Sequence, residues 1–355
     1  MRVDWKTLRK ATIELSRLWY VSKAGPAIED KQALIVSDGS RLCLVMHHKE
    51  DVTTLIYQIP GKGNALHGCV DVRSLKQVVA QMKGVFTTLH QDGEHLVLEG
   101  GRDVCMTLPL KPPQDYPSEY LSTNDEPEWS EHAVWDVAKT REALEHVVVA
   151  VSRDESRPFL NAVGIEPTAL VGTNGHRMHL SKFDGQLKES LLPLAGAVTL
   201  LRLMTLTTGP VLNVFRGGRK LRFSCAPWEL TVVEGKGRFL PYDKVIPHHR
   251  ERSVSVDGKL LRAALKAVAR GTSVQMTLNG AMQLESYDEN LNAHTAKLPL
   301  LKECDTELLI GFNASYLYDA VNTKSDTVTL QLNGPSDAVM IEDQDRMAVV
   351  MPMRI

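Results

Sequence analysis

Three groups of residues in this chain have types and spacing that could carry chemistry. His47-His48 and His248-His249 could ligate a transition metal, Glu342, Asp343 and Asp345 could gather a divalent cation, and the five cysteines (Cys43, Cys69, Cys105, Cys225, Cys304) could pair or bind zinc. Each group has a plainer reading. Adjacent residues on a strand point to opposite faces, so neighbouring histidines rarely share one ion and read better as surface loop. The carboxylates lie between Ile341 and Met347 and read as an acidic hairpin tip. The cysteines are far apart, odd in number and without a C-x-x-C pair, which argues against a disulfide framework or zinc site and leaves them as small buried hydrophobes. No G-x-x-x-x-G-K-[ST], G-x-S-x-G or H-E-x-x-H is present, and Gly61-Lys62-Gly63-Asn64-Ala65-Leu66-His67-Gly68 has the wrong glycine spacing for a dinucleotide turn. No catalytic residue, metal or cofactor is expected, and the chain is read as non-enzymatic.

Two features survive this screen. Thr173-Asn174-Gly175-His176-Arg177-Met178 places a polar turn between the apolar Ala169-Leu170-Val171 and Met178-His179-Leu180. Asn-Gly supplies the positive φ angles of a tight hairpin turn, but that explanation does not reach His176 and Arg177. The second feature is charge. The chain carries a net −2, yet six segments with helical periodicity hold about +8 and the remainder about −10. Helix propensity favours Glu as well as Lys and Arg, so it does not account for the sign. Two electrostatic faces follow, one of them basic and helical. On the segment from Asp257 to Arg270, for example, Leu260, Leu261, Ala264, Leu265 and Val268 are expected to face inward. Lys259, Arg262, Lys266 and Arg270 then share the opposite side, an arrangement suited to a line of phosphates or to a solvated face.

The elements that must position these residues are repeated. Val3-Asp4-Trp5-Lys6-Thr7-Leu8-Arg9-Lys10, Val134-Trp135-Asp136-Val137-Ala138-Lys139-Thr140-Arg141 and Val256-Asp257-Gly258-Lys259-Leu260-Leu261-Arg262 each open a helix. Each is followed by a strand meander, at Phe86 to Leu108, Val211 to Val233 and Thr327 to Met351. The spacing between copies, 116 to 132 residues, suits a whole small domain. The reading is an α+β chain of three repeated domains, 1–124, 125–250 and 251–355, each with two helices packed on antiparallel sheet. Lys111 to Pro117 and Leu240 to Pro247, both Pro-flanked, serve as linkers. Outer strand edges could pair with another copy and close a ring. Apolar content of 43% and charged content of 24% are those of a globular protein. The apolar run Leu191 to Leu206 is interrupted by Pro193 and Arg202, and Met1-Arg2-Val3-Asp4 has no apolar signal core, so a soluble cytoplasmic protein away from membranes is expected.

Ala150-Val151-Ser152-Arg153-Asp154-Glu155-Ser156-Arg157-Pro158-Phe159-Leu160-Asn161, the Thr173 to Met178 turn, Ile310-Gly311-Phe312-Asn313-Ala314-Ser315-Tyr316-Leu317 and the closing Val349-Val350-Met351-Pro352-Met353-Arg354-Ile355 together resemble the bacterial DNA polymerase III beta subunit, the sliding clamp, in motif and in order. The resemblance implies a head-to-tail dimer whose helices line a hole for duplex DNA, held without sequence preference, and which serves as a processivity factor. It implies DNA-facing cations, here Lys6, Arg9, Lys10, Arg73, Lys76, Arg153, Lys259, Arg262 and Lys266. It implies an apolar pocket for short peptide motifs at Leu160, Thr173, Gly175, His176, Arg177, Met178, Val245, Asn313, Tyr316, Val349, Val350, Met351, Pro352, Met353 and Arg354. In that pocket His176, Arg177, Asn313 and Arg354 would anchor the peptide, and the thioethers of Met178, Met351 and Met353 would adapt to different side chains. Met106, Leu108 and Arg270 match the subunit contact. The implied partners are double-stranded DNA, a polymerase catalytic subunit, the clamp loader, other clamp-motif proteins such as repair proteins, ligase and translesion polymerases, and a second copy of the chain, with a nucleoid-associated place in the cytoplasm. The sequence departs from the family pattern where Lys23 to Asp30 replaces T-x-x-P-I-L and where Asn174 stands for the usual Asp. An adaptor that binds peptides without closing on DNA is the alternative.

Overall fold

The computed structural model describes residues 1–18, 32–48, 53–101, 103–113, 129–154, 156–207, 209–247, 251–268, 273–302 and 307–354. The same element order occurs three times. The first repeat runs β1 (Arg2–Asp4), α1 (Trp5–Leu18), β2 (Gln32–Ser37), β3 (Arg41–His48), β4 (Thr53–Lys62), β5 (Leu66–Asp71), α2 (Val72–Gln81), β6 (Phe86–Asp92), β7 (His95–Gly100) and β8 (Val104–Pro109). The second runs β9 (Glu131–Asp136), α3 (Val137–Val148), β10 (Ala162–Glu166), β11 (Ala169–Thr173), β12 (Arg177–Lys182), β13 (Ser190–Pro193), α4 (Leu194–Met204), β14 (Val211–Gly217), β15 (Lys220–Cys225) and β16 (Trp228–Val233). The third runs β17 (Arg252–Asp257), α5 (Gly258–Val268), β18 (Ser273–Leu278), β19 (Met282–Tyr287), β20 (Ala293–Leu298), β21 (Leu308–Asn313), α6 (Ala314–Ala320), β22 (Thr327–Leu332), β23 (Val339–Asp343) and β24 (Arg346–Val350).

An Asx residue ends the strand before many of these helices and caps the next element. Asp4 Oδ1 accepts from Thr7 N at 2.7 Å, Asp71 Oδ1 from Ser74 N at 2.7 Å and Asp257 Oδ1 from Leu260 N at 2.8 Å. Asn313 Oδ1 does the same for Ser315 N and Tyr316 N. Each cap satisfies a backbone donor that the first turn leaves open, which fixes where strand becomes helix. Alternation then sets the sheet faces: Leu212 and Val214, Leu221 and Phe223, and Leu230 and Val232 are all buried along β14, β15 and β16.

The chain divides into two compact units, Met1–Ala138 with Ala195–Glu234, and Lys139–Leu194 with Gly235–Ile355. The first unit holds a 12-stranded antiparallel sheet along β8-β7-β6-β1-β4-β16-β15-β14-β9, with β2, β3 and β5 branching from it. The second unit holds an eight-stranded sheet ordered β13-β10-β11-β12-β24-β23-β22-β17 and a four-stranded sheet ordered β20-β19-β18-β21. A rule links them. In each unit the fourth strand of one repeat pairs antiparallel with the eighth strand of the next, β4 with β16 and β12 with β24. Two strands of those classes end their sheets, β8 in the first unit and β20 in the second.

Several details differ from the sequence reading. Leu260 is 50% exposed, because α5 turns Leu261, Leu265 and Val268 into the core with Ala264 packed at its edge. The apolar run at Leu191 begins as strand β13, and helix α4 starts after Pro193. Leu240 to Pro247 is more than a linker: it contains a 3-10 turn over Tyr242–Val245, and Phe239, Tyr242 and Ile246 pack on Ala169, Val171, Met178, Leu180, Met340 and Val349. The acidic hairpin is as expected, but Asp343 is buried and accepts hydrogen bonds from Lys324 N, Ser325 N and Ser325 Oγ. Lys23 to Asp30, His248-His249 and Cys304 lie outside the described residues.

Candidate functional site

The Thr173 to Met178 turn organises the site in the second unit. Gly172 must be glycine because β11 passes so close to α3 that a Cβ would lie 2.2 Å from Val147 O. Gly175 has φ +88°, a region that disfavours side chains. Asn174 works differently from the sequence expectation: it does not take a positive φ, and its side chain closes the turn instead. Asn174 Oδ1 accepts from His176 N at 3.0 Å and from Arg177 N at 3.1 Å, an Asx turn. Thr173 Oγ1 completes it, donating to Arg177 O at 2.6 Å and accepting from Gly175 N at 3.1 Å.

Arg177 is then directed back into the protein. Its side chain is 9% exposed, its Nη1 donates to Asp319 Oδ2 at 2.6 Å, and its Nη2 donates to Val149 O. The guanidinium lies 4.3 Å from the Tyr316 ring centroid, a cation–π contact. Asn174 Nδ2 donates to Tyr316 Oη at 3.1 Å. One polar cluster thus joins the β11–β12 turn, α6 and the end of α3.

The C-terminal residues lie along this cluster. β24 pairs with β12 in the register Arg177 to Val350 and Met178 to Val349. Met351 N donates to His176 O at 2.9 Å, and Met353 N to Gly311 O at 2.7 Å. Val349 and Val350 are buried as plain core, whereas Met351 and Met353 are 40% and 41% exposed. Under this strand sits a buried histidine pair, with ring centroids of His146 and His179 4.7 Å apart. His179 Nδ1 meets His146 O at 2.9 Å and His146 Nε2 meets Met347 O at 3.1 Å. Burial disfavours the charged imidazole, which holds His146 at about 4 and His179 well below its ordinary value.

Comparisons with known proteins agree on one relationship. Residues 243–354 match the family described as DNA polymerase III beta subunit, C-terminal domain. The beta sliding clamp of Pseudomonas putida is 26% identical over 285 residues, 74% of this chain and 75% of that protein. That of Vibrio cholerae is 27% identical over 288 residues, 76% of each. A DNA polymerase sliding clamp structure from Caulobacter crescentus superposes with a TM-score of 0.88 at 20% identity, covering 100% of this chain and 99% of that one. The DNA polymerase III subunit beta of Pseudomonas aeruginosa gives 0.87 at 21% identity, covering all of both chains. Residues 243–354 thus match the C-terminal domain of the DNA polymerase III beta subunit, and the chain as a whole resembles the beta sliding clamps in sequence and has their fold. Another P. aeruginosa clamp structure, with a TM-score of 0.86 at 21% identity and covering 100% of this chain and 99% of that one, carries griselimycin.

The peptide-site residues expected from sequence all fall in the second unit. Leu160, Thr173, Met178, Val349 and Val350 are buried; Arg177, Asn313, Tyr316 and Pro352 are half-buried or nearly buried; Gly175, His176, Val245, Met351, Met353 and Arg354 are exposed. Two of the expected anchors are already engaged, Arg177 with Asp319 and the Asn313 oxygen as the cap of α6. Sequence reasoning missed Asp319, Val149 and the donor role of Asn174. Asp319 lies 142 residues from Arg177, and no local pattern marks that pairing.

The expected DNA-facing cations differ in their surroundings. Lys6, Arg9, Arg73, Lys76, Arg153 and Lys266 are exposed. Lys10 Nζ donates to Leu206 O at 3.1 Å, Arg262 Nη1 to Val321 O at 3.0 Å, and Lys259 pairs with Asp326 at 3.0 Å. Of the expected subunit contacts, Met106 is half-buried and Leu108 buried on β8, while Arg270 lies outside the described residues. No group of three or more metal-ligating side chains occurs among the described residues, and none of their helices is long and apolar enough to cross a membrane.

Proposed function

We propose that this chain is a DNA sliding clamp, a non-catalytic processivity factor that closes around duplex DNA and tethers a polymerase through a peptide-binding face. The observation that carries the ring is the strand rule. Both seams between repeats join a fourth strand to an eighth, and the fourth and eighth strands that remain at sheet ends are β20 and β8. Pairing β8 of one copy with β20 of another extends the same seam and removes both edges, and two such pairings make a closed head-to-tail dimer of six repeats. The repeats correspond to domains 1–124, 125–250 and 251–355.

The exposed cations of α1, α2 and α5 would face the duplex and attract phosphates without reading bases, which permits sliding. The exposed Met351 and Met353 beside the buried Met178 would accept apolar side chains of a partner's motif, with the polymerase subunit, clamp loader and repair proteins as its bearers. Loading on nicked circular DNA tests the function: retention on the circle and release on linearisation are expected, and binding that survives linearisation with unblocked ends contradicts it. Replacing Lys6, Arg9, Arg73 and Lys76 by Glu should lower retention and flatten its salt dependence. The prior engagement of Lys10, Lys259 and Arg262 favours a second reading, a clamp-like adaptor that binds peptides without encircling DNA. A solution mass near twice 39.4 kDa at micromolar concentration supports the ring, and a 39.4 kDa monomer the adaptor.

A further inference from the structure

An open cleft of about 510 Å³ lies beside the turn, with Ser152, Arg153, Arg157, Asn174 and Tyr316 on its walls. Its two described carboxylates are committed. Asp319 holds Arg177 at 2.6 Å, and Asp154 holds Arg157 at 3.3 Å while accepting from Ser156. Arg153 is exposed on the wall and has no ion-pair partner among the described residues. Among the described residues the cleft therefore carries one uncompensated positive charge.

The direction of the Tyr316 hydroxyl follows from Asn174. Two backbone N–H groups, those of His176 and Arg177, point at one end of the Asn174 amide, so that end is the oxygen. The other end is the NH2 group, and it donates to Tyr316 Oη. A phenol that accepts from an amide keeps its own proton for another acceptor, and none for it is present among the described residues. Tyr316 thus offers a donor to the cleft, beside a free guanidinium.

We infer that the cleft receives a carboxylate side chain of the docked segment, held by Tyr316 Oη–H and by Arg153. This rests on the peptide-docking reading above and adds the chemistry of one position in the segment. A carboxylate is preferred over an amide because both donors then make charge-assisted contacts and the excess charge is neutralised. Asn174 is the residue that sets the preference. An Asp there would keep both backbone hydrogen bonds, take the Tyr316 proton with its second oxygen, and add a negative charge at the rim.

The test is calorimetric titration of the full chain with synthetic peptides of Q-L-x-L-F type, the docking motif that the family resemblance implies, carrying Asp or Asn at each position in and flanking the motif in turn. At one position the wild-type chain should bind the Asp peptide about tenfold more tightly than the Asn peptide, a preference weakened by added salt. Asn174→Asp should abolish that preference, Tyr316→Phe and Arg153→Gln should each reduce it, and Met353→Ala should weaken both peptides equally. Equal affinity for Asp and Asn at every position, or a preference that survives in Asn174→Asp and Tyr316→Phe, overturns the donor assignment and leaves docking intact. Failure of the wild-type chain to bind any of the peptides overturns docking and the inference with it.

Discussion

The two seams between repeats share a backbone plan and differ in what they do with it. In the first unit β16 meets β4 with Trp228 opposite Tyr57 and Leu230 opposite Leu55, all buried. Trp228 Nε1 donates to Thr207 Oγ1 at 2.8 Å, and the chain leaves β16 through Glu234, buried and held by Arg216 at 2.6 Å. That seam is sealed. In the second unit β24 meets β12 with Val349 opposite Met178, and the chain leaves β24 through Met351 and Met353, both substantially exposed, Met351 donating its N–H to His176 on the wall of a cleft. A hydrogen-bond ladder fixes the pairing in both, so the side chains at its end are free to become core in one unit and binding surface in the other.

Mutations should separate these roles. Trp228→Ala removes a large side chain that is 2% exposed and should cost about 3–5 kcal/mol in chemical denaturation. A cost near zero would mean that the first seam is not the rigid one. Acid should act on the second seam. His146 and His179 are held neutral by burial, whereas in the unfolded chain they titrate near the ordinary 6.5, so the unfolded state binds more protons as pH falls below that value, down to about 4 for His146. Their stabilisation is complete above pH 6.5 and is lost as pH falls towards 4. The slope is about 1.4 kcal/mol per pH unit for each histidine, and denaturant midpoints measured from pH 7 to 4.5 should show it flattened in His146→Gln.

A smaller effect tests the polar cluster. Asp319→Ala leaves the nearly buried Arg177 without its partner and should cost about 2 kcal/mol, less than a fully buried pair because Asp319 is itself partly exposed. The smallest expected change in stability sharpens the contrast most. Met353→Ala should shift it by less than about 0.5 kcal/mol, as surface substitutions do, while weakening peptide binding by about tenfold. Equal effects of Met353→Ala and Trp228→Ala on stability would erase the distinction between sealed and open seams.

Much of the fold was legible locally. The three meanders, the helices and their capping Asp and Asn residues follow from alternation, periodicity and a side-chain oxygen that competes for the first N–H groups of a helix. Leu260 was misread because a helical stripe has a width, and sequence cannot say how far the sheet beneath it reaches. The turn at Thr173 was recognised by its Asn-Gly, but a tight turn can be closed by backbone angles or by a side chain, and the choice of the second at Asn174 depends on neighbours that come from α6. Linker composition at Leu240 to Pro247 gave no sign that Tyr242 and Ile246 would cover the outer face of β11 and β12, since Pro and charged residues dominate the local pattern.

What the sequence determined by itself was the repeated unit, its basic helices, and the absence of any familiar catalytic constellation, because each of these is written in short-range periodicity or in residue type. What only the tertiary structure decided was the partnership of residues far apart in the chain. Arg177 with Asp319, Asn174 with Tyr316, and Met353 with Gly311 exist because β12 pairs with β24 and places α6 beside the turn. Charge and hydrogen-bond polarity in that cleft depend on distances of about 3 Å, and no spacing along the sequence encodes a distance that a sheet register sets.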